Sequence, residues 1–280
     1  MNPTHRPMDI PPPSTVPVQG WHCSHFFYRW NRDRIASMSE LDRRSARQEF
    51  RGLLDPCEAD RPQRFQVAAV VGHKADLVLV MMDPDPLKIN AIHQRLMQCR
   101  FGELLQPTYS FVSMSEISEY LPDKEQYAKR LIHSGEDAHS ATFQAKVASY
   151  EKRLPMMLAQ RLAPEFPDWP ALCFYPMNKV RNVGANWFAL PFSERQELMS
   201  EHAQSGMAFA GRVTQLVTAS VGLDDWEWGV TLWARNPQYL KEIVYTMRYD
   251  RASARYGQFG PFYTAYPMSV DGVMEHTWRM

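Results

Sequence analysis

The segment CFYPMNKVR, residues 173–181, places a phenol and an ammonium four residues apart, at Tyr175 and Lys179. A phenol donates a hydrogen bond and a lysine supplies a point charge, so together they suit a carboxylate ligand. The apolar residues 172–177 predict a strand that runs into a loop, and such loops often carry function. A solvated loop without a ligand fits the same residues.

A histidine, His202, lies within a helix predicted over residues 194–210. Ser193 and Gln196 have capping-box spacing at its start, and Gly211 suits the left-handed residue that follows its end. Helical spacing places the histidine on one face together with apolar residues and a glycine: Leu198, Met199, Gly206 and Phe209.

Small residues surround His202, among them Ala203, Ser205 and Ala210, and they would let a broad flat ligand such as a porphyrin approach the helix. An imidazole on such a face can be an axial ligand of heme iron. The same spacing fits a buried histidine with a hydrogen-bond partner.

The strand predicted over residues 213–221 has one polar residue, Gln215, on an otherwise apolar face. A buried amide without a partner costs about 1–3 kcal/mol. Gln215 is therefore expected either to bond to backbone or water, or to face a ligand.

The elements that position these residues follow one order twice. In the first half they are a strand at 21–28, a helix at 35–54, strands at 64–71 and 76–82, a helix at 86–100 and a strand at 108–113. In the second half they are a strand at 172–177, the helix at 194–210, strands at 213–221 and 226–233, a helix at 237–248 and a strand at 261–266. The order βαββαβ is that of a ferredoxin-like unit, so the sequence predicts an α+β fold in which two tandem units pair into an α/β barrel.

The length of 280 residues supports two hydrophobic cores. We predict a disordered Pro-rich tail at 1–20, an N-terminal ferredoxin-like domain at 21–115, a helical linker or cover at 116–168 and a C-terminal ferredoxin-like domain at 169–280.

Composition excludes several classes of function. Thirty-one basic residues balance thirty-one acidic ones, so no overall field favours nucleic acid or an anionic membrane. The four cysteines are scattered singly, which is typical of a reducing cytoplasm and not of a disulfide scaffold or a zinc site. No stretch has the length and apolarity of a signal peptide or a transmembrane helix.

Seven stretches carry a family resemblance over most of the chain, from Gly20 to about Tyr266. They are HKADLVLV, PTYSFVSMSEISEYL, CFYPMNK, NWFALPFSERQELMSEH, AGRVTQLVTASVG, DDWEWGVTL and MRYDRASARYGQFGPFY. In this order they resemble the chlorite dismutase family, and within it the coproheme decarboxylases of the Firmicutes type. The resemblance implies a tandem ferredoxin-like subunit, a homopentamer, and a porphyrin bound in the domain at 169–280.

The resemblance also implies roles for individual residues. The family's iron ligand falls on His202, its radical-forming tyrosine on Tyr175, and the lysine beside the reactive propionate on Lys179. Gln215 matches the distal glutamine of the decarboxylases, where chlorite-splitting relatives carry an arginine. Propionate-binding positions of the family fall on Arg161, Tyr120, Met177, Asn178 and Ser253, with Arg248 as a further candidate. The relatives carry an arginine where this chain has Met207, and Arg212 is a candidate replacement.

The implied reaction uses hydrogen peroxide to convert two propionates of Fe-coproporphyrin III (coproheme) to vinyl groups, which gives heme b. Coproheme would be both substrate and redox centre, and the resemblance implies a transient contact with coproporphyrin ferrochelatase, while the partner that delivers coproheme stays open. Two other functions fit this fold: a chlorite dismutase-like heme peroxidase and a non-catalytic heme-binding protein. Gln215 argues against the first, and the second has no need of Tyr175 and Lys179.

Overall fold

The computed structural model describes residues 12–278, so most of the predicted Pro-rich tail lies outside the described residues. The first half of the chain contains four strands and three helices: β1 (His22–Trp30), α1 (Arg32–Ser37), α2 (Glu40–Leu54), β2 (Arg64–Val70), β3 (Leu77–Asp83), α3 (Pro86–Gln98) and β4 (Leu105–Ser115). Two helices follow within the predicted linker, α4 (Lys124–His133) and α5 (Ala141–Leu162).

The second half repeats the βαββαβ order and adds short elements to it. Its elements are β5 (Ala171–Lys179), β6 (Arg181–Asn182), β7 (Ala185–Asn186), α6 (Phe192–Met207), β8 (Val213–Ala219), β9 (Trp228–Ala234), α7 (Pro237–Met247), α8 (Arg251–Tyr256), β10 (Gly257–Phe259), β11 (Tyr263–Pro267) and α9 (Val270–Thr277). None of the helices between residues 12 and 278 is both long and apolar enough to cross a lipid bilayer.

Two helices of the structure begin at other residues than the sequence predicts. The helix predicted over 35–54 is two helices, because the Ser39 hydroxyl accepts a hydrogen bond from the Asp42 N–H at 3.1 Å and starts α2 there. Helix α6 begins after Pro191, two residues earlier than predicted, and has no side-chain cap. The capping box predicted for Ser193 is therefore wrong, since that residue already lies in the first turn.

Eight strands close into a barrel in the order β5, β11, β2, β3, β1, β4, β8, β9, with β9 pairing again with β5. The two halves join at β4 with β8 and at β11 with β2, where Ala265 lies opposite Val70. Aromatic side chains from both halves fill the barrel interior: Phe27, Phe111, Phe174, Trp233 and Tyr263. Burying a large apolar side chain stabilises the fold by roughly 1.5–3 kcal/mol. Because side chains of both halves lie in this interior, the halves share one core.

Candidate active site

The outer face of the second half carries Gln215 and Tyr175, two of the predicted site residues. Strand pairing places Val217, Val230 and Tyr175 in one row across β8, β9 and β5. Gln215 begins the next row, opposite Leu232. Since alternate residues of a strand share a face and neighbouring strands lie about 4.8 Å apart, Gln215 and Tyr175 look out on the same side within about 12 Å.

Helix α6 leaves this face partly open. Its main contacts are with α7 and α8, and Leu198 is the one residue among its sixteen that is fully buried. Gln215 is exposed on β8, and so is Val217, with 40% of its surface accessible. We call this accessible part of the face, with Gln215 and Val217 on β8, the cleft.

The first half differs, because two of its helices pack on the corresponding sheet face. Its helices α2 and α3 cover the corresponding face with buried apolar residues: Ala46, Phe50, Leu54, Ile89, Ile92 and Leu96. Large residues of β1 meet them from the sheet, namely Phe26, Tyr28 and Trp30. The same supersecondary unit is therefore filled in one copy and open in the other.

His202 lies in a hydrogen-bond network on α6. Its Nδ1 is 3.0 Å from Oδ2 of Asp250, which is the N-cap of α8. The Ser253 hydroxyl donates to the same carboxylate oxygen at 3.1 Å and lies 3.3 Å from Nδ1.

Asp250 fixes the tautomer of His202. Burial alone would raise the pKa of Asp250, but hydrogen bonds from His202 and Ser253 hold it below its usual value, so the carboxylate is ionised at neutral pH. An ionised carboxylate only accepts, which requires the proton on Nδ1 and leaves Nε2 with a free lone pair. That is the arrangement of a histidine ready to bind a metal.

Tyr175 has a free hydroxyl. The residue is 7% exposed, its ring stacks on Phe262 at 4.5 Å between centroids, and Phe259 lies at 5.8 Å. No hydrogen bond to this hydroxyl occurs within residues 12–278. Burial raises the pKa of Tyr175, so it stays a neutral phenol that can give up a proton or a hydrogen atom.

Lys179 is a buried cation without an anionic partner. It is 8% exposed, and its ammonium lies 4.3 Å from the centre of the Trp187 ring. Within the described part of the chain it forms no ion pair and no side-chain hydrogen bond. Burial lowers the pKa of Lys179 to about 8, against the opposing charges of Asp250 and Glu227. A buried charge is costly unless paired, so this site suits an anion.

The segment with Tyr175 and Lys179 is a strand to its end, and the predicted loop is wrong. Strand β5 continues to Lys179 because β10 pairs with it, with Met177 opposite Phe259 and Asn178 opposite Gln258. Alternation along β5 places residues 175, 177 and 179 on one face. Met177 packs in the outer apolar cluster, and Asn178 Oδ1 accepts a hydrogen bond from the Glu227 N–H at 2.8 Å.

The remaining predicted residues have varied surroundings. The Tyr120 hydroxyl accepts a hydrogen bond from Arg195 at 3.3 Å, and its ring stacks on Phe192. Burial raises the pKa of Tyr120 to about 12. Arg161 is exposed near the end of α5, with no ion pair or hydrogen bond of its side chain among the described residues. Ser253 uses its one hydroxyl proton on Asp250, so a propionate contact there requires an exchange of that bond.

Two arginines near the cleft stack on aromatic rings. Arg248 lies 5.2 Å from the centre of the Phe259 ring and is exposed. Arg212 lies over Phe209 and donates to the Ala208 carbonyl at 2.6 Å. Arg248 is thus beside the aromatic group around Tyr175, whereas Arg212 is already engaged at the end of α6.

Sequence reasoning missed Asp250, Glu227 and Phe262. Asp250 could have been found as an N-cap residue three positions before Ser253. Glu227 stands between two tryptophans directly before a predominantly apolar strand, which is a signal of a buried charge. Phe262 has no comparable signal, because only the barrel closure brings it onto Tyr175.

The sequence of this chain is similar to those of known proteins. A family model described as chlorite dismutase matches residues 43–268. The coproheme decarboxylase of Staphylococcus carnosus is 38% identical over 257 residues, which cover 91% of this chain and 94% of that protein. The coproheme decarboxylase of Staphylococcus saprophyticus is 35% identical over 267 residues, covering 94% and 98%.

Solved structures agree with the fold. A heme-binding protein from Thermus thermophilus superimposes with a TM-score of 0.76 at 32% identity and covers 94% of this chain and 96% of its own. A chlorite dismutase variant from Candidatus Nitrospira defluvii gives 0.69 at 16% identity, covering 95% and 98%, which is evidence of shared fold alone. The family model matches residues 43–268 of this chain, and the two relatives above 30% identity cover 91% and 94% of it. This chain therefore belongs to the chlorite dismutase family.

Proposed function

We propose that this protein is a coproheme decarboxylase that uses hydrogen peroxide to convert two propionates of Fe-coproporphyrin III to vinyl groups. In each step one propionic acid group and one peroxide give a vinyl group, carbon dioxide and two waters. The observation that carries the proposal is the pair Tyr175 and Lys179, a free phenol and an unpaired ammonium on one face of β5. Peroxidase or carrier functions do not require this pair.

Each residue of the cleft has its own role in the proposed reaction. His202 would bind the iron through Nε2, with Asp250 holding its other nitrogen. Lys179 would hold the reacting carboxylate. Tyr175, once peroxide at the bound iron had oxidised its phenol to a tyrosyl radical, would remove a hydrogen atom from the carbon chain beside it and become a phenol again. Gln215 would offer a neutral hydrogen bond on the β8 side of the cleft. The bound iron supplies peroxide activation, and the protein supplies position.

Adding hydrogen peroxide to the coproheme complex and measuring the porphyrin mass tests the proposal. We expect two successive losses, each of one carbon dioxide and two hydrogens, ending at heme b. An unchanged porphyrin mass would indicate a carrier, and oxygen release from chlorite would indicate a chlorite-splitting enzyme. Either result would reject the proposal.

The affinity for coproheme is expected to fall as pH rises through about 8, where burial places the pKa of Lys179. The ammonium is charged below that pKa and holds the carboxylate, and above it the neutral amine does not. A bound carboxylate favours the charged form of Lys179 and raises its pKa, so in the complex the ammonium loses its proton at higher pH. Titrating the ligand-free protein with coproheme at a series of pH values, and following the Soret absorption, measures this affinity.

Lys179→Arg is the control for that titration, because arginine stays charged in this range. Its affinity is expected to change little with pH, whatever its absolute value. A wild-type decline that persists unchanged in Lys179→Arg would assign it to another group.

Assembly and location belong to the same proposal. Family resemblance supports a homopentamer and a transient contact with coproporphyrin ferrochelatase, and the four scattered cysteines support a location in the cytoplasm.

A further inference from the structure

A buried carboxylate beside Lys179, that of Glu227, has no part in the reaction proposed above. Glu227 precedes β9 and is 6% exposed. Its Oε2 accepts a hydrogen bond from the backbone N–H of Lys179 at 2.8 Å. Its own N–H donates to Asn178 Oδ1 at 2.8 Å. One residue therefore holds two consecutive residues of β5.

The other oxygen of Glu227 is also occupied. Its Oε1 accepts a hydrogen bond from Arg181, whose guanidinium is mostly exposed and stacks over Phe188. Both carboxylate oxygens are thus bound to groups other than the Lys179 ammonium.

The second carboxylate near Lys179 is occupied in the same way. Asp250 accepts hydrogen bonds from His202 and from the backbone and hydroxyl of Ser253. Lys179 therefore has two negative charges close enough to raise its pKa against burial, and neither is its hydrogen-bond acceptor. The ammonium is therefore left without an acceptor among residues 12–278.

We infer that Glu227 is a positioning residue for Lys179, which it holds through the backbone while Arg181 keeps the Glu227 carboxylate away from the ammonium. Without Arg181, the carboxylate would be free to pair with the ammonium and compete with a carboxylate of the substrate. The inference rests on the proposed function, because it assigns the ammonium to a propionate.

Two variants test the inference. Glu227→Gln keeps an acceptor for the Lys179 N–H but removes the charge and the pair with Arg181. Arg181→Gln changes an exposed side chain and leaves the buried residues intact, so it tests the same inference even if Glu227→Gln folds poorly. We expect each to lower kcat for decarboxylation roughly tenfold to 100-fold, since small misplacements of a reacting group cost that much.

A double variant separates positioning from a general structural effect. If Glu227 acts through Lys179, then Glu227→Gln combined with Lys179→Met lowers kcat no further than Lys179→Met alone. Asp83→Asn is the matched control, because Asp83 is also buried and accepts backbone N–H bonds from Gln63 and Asp85. It is expected to lose thermal stability without losing kcat.

Wild-type kcat in both Glu227→Gln and Arg181→Gln would overturn the inference, and so would losses that multiply in the double variant. Full activity of Lys179→Met is a different result, because it would remove the role of Lys179 and with it that part of the proposed function.

Discussion

Replacing Tyr175 by phenylalanine is expected to lower the rate of decarboxylation at least about 100-fold, the loss typical when one group of a preorganised site is removed. Stability should hardly change, because the hydroxyl makes no hydrogen bond that the variant would lose. The ring would still stack on Phe262. Stopped-flow absorption and porphyrin mass after peroxide addition measure the rate, and thermal unfolding measures the stability.

Tyr109→Phe is the matched control for this experiment. Tyr109 packs against the barrel core. Its hydroxyl is buried and, like that of Tyr175, has no hydrogen-bond partner among residues 12–278. The substitution removes the same atom far from α6, so wild-type turnover is expected. Normal heme b formation by Tyr175→Phe would remove the proposed hydrogen-atom step, whatever the control shows.

The α+β fold is predicted correctly from sequence, because the second half repeats the apolar periods of the first, and the family is predicted correctly from the seven stretches that resemble it. Val71 with Gly72 and Val221 with Gly222 mark the same hairpin in each copy, and both glycines have the positive φ that such turns need. Bounds are less accurate where a cap decides them, as at Ser39 and Pro191. The barrel itself is predicted from the repeated element order, whereas the strand register, such as Ala265 opposite Val70, depends on pairing between distant strands that periodicity does not reveal.

The site is predictable only in part, for a physical reason. Residue types mark Tyr175, Lys179 and His202 as reactive, but their state depends on neighbours distant in sequence. Asp250 fixes the tautomer of the histidine from 48 positions away. Glu227 reaches Lys179 from the same separation in sequence. Domain boundaries and the individual site roles stay predictions.

The open cleft itself follows from side-chain size. In the first half, β1 presents Phe26, Tyr28 and Trp30 toward the helices and fills the space beneath them. The corresponding strand of the second half, β5, presents Ala171 and Cys173 before Tyr175. Small residues on the strand and few buried residues on α6 accompany the exposed side chain of Val217 on β8. The two halves thus share one order of elements but differ in the size of the strand residues beneath their helices.

Replacing His202 by alanine is expected to weaken coproheme binding at least about 100-fold and to shift the Soret band, because the iron loses its protein ligand. The substitution leaves a cavity the size of an imidazole beside Asp250, so added imidazole should enter it, donate the same hydrogen bond to the carboxylate and restore the original band. His133→Ala, on the exposed face of α4, should bind like the wild type. A merely structural histidine would lower thermal stability in the variant but leave the Soret band of bound coproheme unchanged and insensitive to imidazole. That outcome would place the iron on another residue and separate the network of α6 and α8 from the chemistry of the cleft.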